Sequence, residues 1–461
     1  MDHVLHLRSL LSGQTFQPDE VDYVDPAYGP DGILDVVYDY DLIATRLSRE
    51  SLRRNFEPSI WRYKPLLPVR ADAAVPPLQV GWTPLYDAPR LAAELGLRQV
   101  WVKDDGRNPS ASFKDRASAI AVVKAQERGA PIITTASTGN AAAALSGLCA
   151  SVGQANVIFV PEKAPAAKIA QLLAFGSTVM LVKGTYDDAF DLCLQASAAY
   201  GWYNRNTGYN PYMSEGKKTA TLEICEQLDW QAPDRIFVSV GDGCIIGGLH
   251  KGLKDLMALG WIDHMPKLMG VQAAGSNYLA EAWEKGEDVL TKPPIDAQTR
   301  ADSISAGLPR DRLKAMAAVV ETGGAFVTVS DEEILTAIPL LARGSGVFGE
   351  PAGAAAHAGL LKAVAQGLVA ADERVVVLNT GSGLKDVPGV MQGVEQVGTQ
   401  GYRVAPDLAD LRRVMATMTG GGPATKSHVG SETRPDRYSR GCKAPTARVK
   451  TIRIAAARRV S

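Results

Sequence analysis

Between about Leu78 and Asp386, short apolar runs of strand-forming residues alternate with stretches whose apolar residues recur at helical spacing. "QVWVKDD" precedes "KDRASAIAVVKAQERG", "PIITTAS" precedes "TGNAAAALSGLCASVG", "NVIFVP" precedes "APAAKIAQLLAFG", and "TVMLVK" precedes "YDDAFDLCLQASAAYG". Further along come "RIFVSVG", "KLMGVQA", "AFVTVS" and "RVVVLNTG", most of them followed by another helical pattern. Ser330 with Glu333 carries the signature of a capping box at the start of "DEEILTAIPLLARG". This alternation predicts an α/β fold of parallel twisted sheets flanked by helices, with ligands bound at the carboxyl ends of strands. The units are too many for one sheet, so two are expected.

The ends of the chain fall outside this rhythm. Residues 1–75 are richer in Asp, Tyr and Pro and read as an extension packed on the body. From Gly420 to Ser461, ten Lys or Arg stand against two acidic residues with few large apolar groups, a composition that predicts a solvated, disordered tail. The net charge of −1 over 461 residues gives the body no general attraction for nucleic acid or acidic membranes. No apolar run approaches the ~18–20 residues that span a bilayer, and "MDHVLHLRSLLSGQ" lacks a basic start followed by a long apolar stretch. Cys149, Cys193, Cys225, Cys244 and Cys442 show no paired spacing, which suits reduced thiols in the cytoplasm better than a disulfide framework.

Chemistry concentrates in the loops that follow the strands. In "NPSASFKDRAS", Lys114 opens a helical pattern. It is either a helix-start lysine in solvent, or an amine held in a crevice where desolvation frees it as nucleophile or base. "STGNAAAA", Ser137 to Ala144, puts hydroxyls, a glycine and an amide at a helix start, an anion cradle that suits carboxylate or phosphate equally. In "VSVGDGCIIGG" a strand runs into Gly241-Asp242-Gly243-Cys244, with a helix expected near Ile245. Glycines there let backbone amides face a phosphate. A dinucleotide would want an acidic residue at the end of the next strand, but that strand ends in Gln272-Ala273, which favours a lone phosphate. "VVVLNTGSGLKD" delivers the hydroxyls of Thr380 and Ser382 at a strand end, suited to a heteroaromatic nitrogen. An amine, a phosphate cradle, an anion loop and a ring-nitrogen partner are together what pyridoxal 5′-phosphate requires.

The motifs "GWTPLYDAPRLAAELGL", "VKDDGRNPSASFKDRAS", "STGNAAAA", "NTGYNPYMSEGKKTA", "SVGDGCIIGG", "VFGEPAGAAA" and "TGSGLKD", in order from Val80 to Asp386, resemble the threonine synthase family, within the fold-type II pyridoxal-phosphate enzymes. The resemblance implies a two-domain α/β enzyme with the cofactor in the interdomain cleft. With the extension at 1–75 and the basic tail at 413–461 set apart by composition, the resemblance divides the body into a large cofactor-binding domain at 76–117 and 206–412 and a small substrate domain at 118–205. It implies that Lys114 forms the Schiff base, that Gly241, Asp242, Gly243, Cys244 and Ile245 hold the cofactor phosphate, and that Asn140 meets the phenolic oxygen. Thr380 would meet the ring nitrogen, and Ser137 and Thr138 the substrate carboxylate. The implied reaction, in threonine biosynthesis, is a carbon–oxygen lyase reaction through a pyridoxal phosphate aldimine. It converts O-phospho-L-homoserine and water to L-threonine and phosphate in a cytoplasmic homodimer. Ser9 and Ser12 stand where relatives carry zinc-ribbon cysteines, so no metal is expected. Met213 stands where an arginine is expected in one branch of the family, which leaves the substrate phosphate to at least one of Arg205, Lys217 and Lys218. Another reaction on the same fold, β-elimination or β-replacement on a serine-, threonine- or cysteine-type amino acid, would use the same loops.

Overall fold

Strand-forming runs pair as their composition predicts in the computed structural model, which describes residues 1–137, 139–164 and 166–419. The chain up to Gln400 forms one unit and the chain from Gly401 a second. In chain order the strands are β1 (Val4–Ser9), β2 (Thr15–Phe16), β3 (Leu34–Tyr38), β4 (Leu85–Asp87) and β5 (Gln99–Asp104). Next come β6 (Ile133–Ala136), β7 (Asn156–Pro161), β8 (Thr178–Val182) and β9 (Tyr203–Asn204). The last are β10 (Arg235–Ser239), β11 (Lys267–Ala273), β12 (Ala325–Val329) and β13 (Arg374–Asn379).

Two sheets carry the α/β body. One has six strands in the order β12-β11-β10-β13-β5-β4, parallel except where β4 joins β5. The other is parallel throughout, in the order β8-β7-β6-β9. All eight runs singled out in the sequence are strands of these sheets. The central strand β13 is apolar without alternation because both faces are covered: Val375 to Leu378 are fully buried. The capping box forms as expected, with Glu333 N donating to Ser330 Oγ (3.1 Å) and Ser330 N to Glu333 Oε2 (2.7 Å). Gln272 plays a structural part. Its Oε1 accepts from Leu279 N (2.9 Å) and Ala280 N (2.8 Å), fixing the start of the helix Tyr278–Lys285. The helix Lys114–Glu127 is buried on every side from Asp115 to Ala125, a core helix rather than an amphipathic one. It also runs through the 117/118 boundary between the two expected domains.

The extension contributes an antiparallel sheet, β2-β1-β3. Charged groups of the body hold β3: Lys251 Nζ donates to Val36 O (2.8 Å), Lys314 Nζ to Leu34 O (2.9 Å), and Tyr38 OH donates to Glu215 Oε2 (2.6 Å). Ser12 Oγ donates to Asp25 Oδ2 at 2.8 Å, which ties down the turn between β1 and β2. No described helix is long and apolar enough to cross a membrane.

In the second unit the helix Leu408–Thr419 spans the 412/413 boundary expected for the tail, so residues 413–419 are helical rather than disordered. Its first turn is capped by Asp407, whose Oδ1 accepts from Asp410 N at 2.8 Å. The expected disorder from Gly420 onward lies outside the described residues.

Candidate active site

Lys114 is positioned by the loop that leaves β5. Ser110 N and Oγ both donate to Asp115 Oδ2 (2.8 and 2.9 Å), closing the start of the Lys114 helix. The same loop is stitched to the residues that follow β13: Phe113 N donates to Thr380 O (2.9 Å), Ser382 N to Ala111 O (3.0 Å), and Lys385 Nζ to Ser110 O (2.8 Å). Ala111 takes a left-handed backbone, φ +61°, to make this close approach. Lys114 is thereby half-buried on the wall of a cavity of about 470 Å³. Burial is the main influence that lowers its proton affinity. The Arg205 cation adds to this, and Cys244, Glu350 and Asp242 oppose it. The crevice, not the solvent, is where this amine sits.

The other walls come from the carboxyl ends of β6 and β10. Ser137 follows β6 and lines the cavity, as does Asn140, the first residue of the helix Asn140–Val152. Thr138 lies outside the described residues. Gly241, Asp242, Gly243, Cys244 and Ile245 form the turn from β10 into the helix Cys244–Ala258, and all five line the cavity. Gly243 needs φ +88°, and a β-carbon there would stand 2.7 Å from Ala315 Cβ, so the fold itself demands this glycine. The first amides of a helix lack intrahelical acceptors and face outward at its positive end, as an anion requires. Thr380 is not on the cavity wall; it is buried one step behind, its carbonyl held by Phe113 N.

Three cations of the segment 205–218 separate cleanly. Lys217 is fully buried on the cavity wall and its Nζ has no hydrogen-bond partner. Its amine is pushed down to about 7, chiefly by burial, with Arg205 and Lys114 contributing. Arg205 also lines the cavity. Its Nε donates to Ser118 Oγ (3.1 Å) and its Nη1 to Thr207 Oγ1 (2.8 Å), while Nη2 stays unpartnered. Lys218 does not reach the cavity. Its ammonium is locked between Glu215 Oε2 and Asp255 Oδ2, each at 2.6 Å, beneath the Tyr38 ring. Successive helical residues point about 100° apart, so one of two adjacent lysines was bound to face away. Met213 is buried in the core and supplies no charge to the site.

Some functional groups were not singled out from the sequence. Glu350, inside the quoted motif "VFGEPAGAAA", is buried and accepts from Asn140 Nδ2 at 2.6 Å; burial pushes its carboxyl up to about 7. Ser239 Oγ, at the end of β10, lines the cavity and is buried without a partner. A polar residue ending a strand-to-glycine run was the available signal for Ser239. Glu350 offered none beyond its motif, because its partner lies 210 residues away.

Residues 77–381 match the family model described as "Pyridoxal-phosphate dependent enzyme". A threonine synthase from Methanocaldococcus jannaschii is 38% identical over 410 residues, covering 88% of this chain and 98% of that protein. Another from Methanosarcina acetivorans is 40% identical over 392 residues, covering 85% and 95%. The chain belongs to the threonine synthase family of pyridoxal-phosphate-dependent enzymes. Among solved structures, the processed form of threonine deaminase isoform 2 from Solanum lycopersicum shares its fold, with a TM-score of 0.59 at 23% identity over 68% of this chain and 88% of that one. Diaminopropionate ammonia lyase from Escherichia coli shares the fold at a TM-score of 0.58 and 19% identity, over 68% and 87% of the two chains. The residues of this family member fit the cofactor on chemical grounds. An amine of lowered basicity, a glycine turn at a helix start and the unpartnered hydroxyl of Ser239 share one cavity.

Proposed function

We propose that this protein is a threonine synthase, converting O-phospho-L-homoserine and water to L-threonine and phosphate. The observation that carries this reading is the pair of buried, incompletely partnered cations, Lys217 and Arg205, in the same cavity as Lys114. Burying a cation without a partner is costly, and a substrate that expels a phosphate dianion supplies the missing charge.

Pyridoxal phosphate, when bound, supplies an electron sink for negative charge that develops on the substrate's carbon skeleton. Lys114 would carry it, with the Gly241–Ile245 turn on its phosphate and Asn140 on its phenolic oxygen. The Lys114 amine takes the α-proton and shifts a β-proton, for which a lowered proton affinity is the useful state at neutral pH. The Cγ–O bond breaks with its electron pair going to phosphate, which Lys217 and Arg205 hold. Cγ then gains a proton, water adds its hydroxyl at Cβ, and the Lys114 ammonium returns a proton to Cα, while Ser137 holds the carboxylate throughout. Glu350 orients Asn140 through their hydrogen bond.

The same reading divides the first unit into a lobe on the six-stranded sheet that holds the cofactor and a smaller lobe on the four-stranded sheet that meets the substrate. It also includes a homodimer in the cytoplasm. The unpaired Cys149, Cys193, Cys225 and Cys244 support a reducing compartment. The exposed apolar side chains of Phe348, Leu384, Val387 and Met391 support association between copies, which light scattering tests. The test of function is phosphate release on mixing the holoenzyme with O-phosphohomoserine. Release of ammonia from serine without phosphate release from O-phosphohomoserine would overturn the assignment.

A further inference from the structure

A crosspiece unused by the roles above stands on the same cavity. Arg310 belongs to the segment leading into the helix Arg312–Glu321, on the side of the six-stranded sheet. Its backbone is anchored on the glycine turn: Arg310 N donates to Asp242 Oδ1 (3.2 Å) and Asp311 N to Asp242 O (2.9 Å). Its side chain reaches the helix Tyr186–Tyr200, which packs on the four-stranded sheet. There Nη2 donates to Asp187 Oδ1 at 2.9 Å, and the guanidinium carbon stands 4.7 Å from the centre of the Phe190 ring. Arg310, Asp187, Phe190 and Asp242 all line the cavity.

The Arg310–Asp187 pair is not buried; the two side chains are 27% and 76% exposed. An ion pair so open to water is weak and readily exchanged. A guanidinium forks onto phosphate oxygens in the geometry it uses for a carboxylate, and a phosphate dianion offers it more charge.

We propose that Arg310 is a specificity-determining ligand for the phosphomonoester of the substrate, with Asp187 holding its guanidinium between turnovers. The phosphate draws Arg310 off Asp187, adding a third cation to Lys217 and Arg205. This inference rests on the phosphate-ester substrate proposed above and extends it to a residue that bridges the two sheets.

The alternative role for the pair is a structural latch, and the two roles predict different signs. Inorganic phosphate binding to the holoenzyme, whose cofactor already fills the glycine turn, is measured by calorimetry for the wild type, Arg310→Met, Arg310→Lys, Asp187→Asn and the double variant Arg310→Met/Asp187→Asn. Loss of a charge-assisted contact should weaken phosphate roughly tenfold or more in Arg310→Met, with Arg310→Lys intermediate because it keeps charge but loses the fork. Removal of the competing carboxylate should tighten phosphate by up to about fivefold in Asp187→Asn, and the double variant should match Arg310→Met. Weakening in both single variants would make the pair a latch and overturn the inference, as would an unchanged Arg310→Met or a wild type that binds no phosphate. Turnover of O-phosphohomoserine by the wild type is followed separately. The opposite-sign pattern in an enzyme that fails to release phosphate would sustain Arg310 as an anion ligand and overturn the reaction assignment.

Discussion

Replacing Lys217 with methionine should make the cofactor-free protein more stable while weakening its hold on substrate. The amine is fully buried without a hydrogen-bond partner, and its pKa falls from 10.5 to about 7. A lysine that is charged in water but only half-charged in the native state at pH 7 costs about 4 kcal/mol by proton linkage. Methionine keeps much of the stem's packing and has no charge to desolvate, so a gain of roughly 2–4 kcal/mol is expected at pH 7. The sign follows from the depressed pKa. The cost is absent above the unfolded value of 10.5, sets in as pH falls, and is complete once pH has dropped through about 7. Urea unfolding of both proteins in phosphate-free buffer should therefore show a gap at pH 7 that closes toward pH 10.5. Added phosphate should narrow the gap at pH 7 by giving Lys217 a partner. In the holoenzyme the same substitution should raise KM for O-phosphohomoserine. Equal stability at pH 7, or a gap that widens with pH, would refute the reasoning.

Three further outcomes are expected. Borohydride reduction of the holoenzyme followed by peptide mapping should place the label on Lys114; label on Lys217, the other amine on the cavity wall among the described residues, would reassign the cofactor's anchor. Glu350→Gln should flatten the pH dependence of stability between about 4.5 and 7, because the raised pKa gives an advantage that is complete below the unfolded value and lost as pH rises through about 7. An unchanged stability profile would mean that the carboxyl does not titrate there. Gly243→Ala should lower the unfolding midpoint and cofactor retention together, and Ala315→Gly should restore part of the loss. The second change relieves the 2.7 Å contact of the new β-carbon but leaves the φ of +88° in place. Full rescue would show that backbone conformation contributes nothing.

The βα body was legible because β5, β6 and β10 to β13 are short, apolar and bounded by polar or glycine residues, so pattern and environment agree. The strands of the extension were not. β3 contains Asp35 in a buried position and pairs with β1 across some thirty residues without a tight-turn signature, so no local signal announces it. β9 has only two residues and exists because β6 offers an open edge. The loops of the site were readable as chemistry, since strand ends carrying Gly, Ser, Thr and Asn are uncommon inside a packed core. Which of Lys217 and Lys218 enters the cavity was not readable, because adjacency in sequence says nothing about the phase of a helix.

That phase has a consequence for the amino terminus. The turn that sends Lys217 into the cavity commits Lys218 to Glu215 and Asp255, and Glu215 accepts the hydroxyl of Tyr38 at the end of β3. Lys314, one helix away, commits its ammonium to the carbonyl of Leu34 in the same strand. The first forty residues are thus a counterweight to the catalytic lysine bed. A chain shortened to the family-matched core at residue 77 would strip Glu215, Lys251 and Lys314 of their partners in β3 and slacken the helix that aims Lys217. Tags and fusions therefore belong ahead of β1, never in its place.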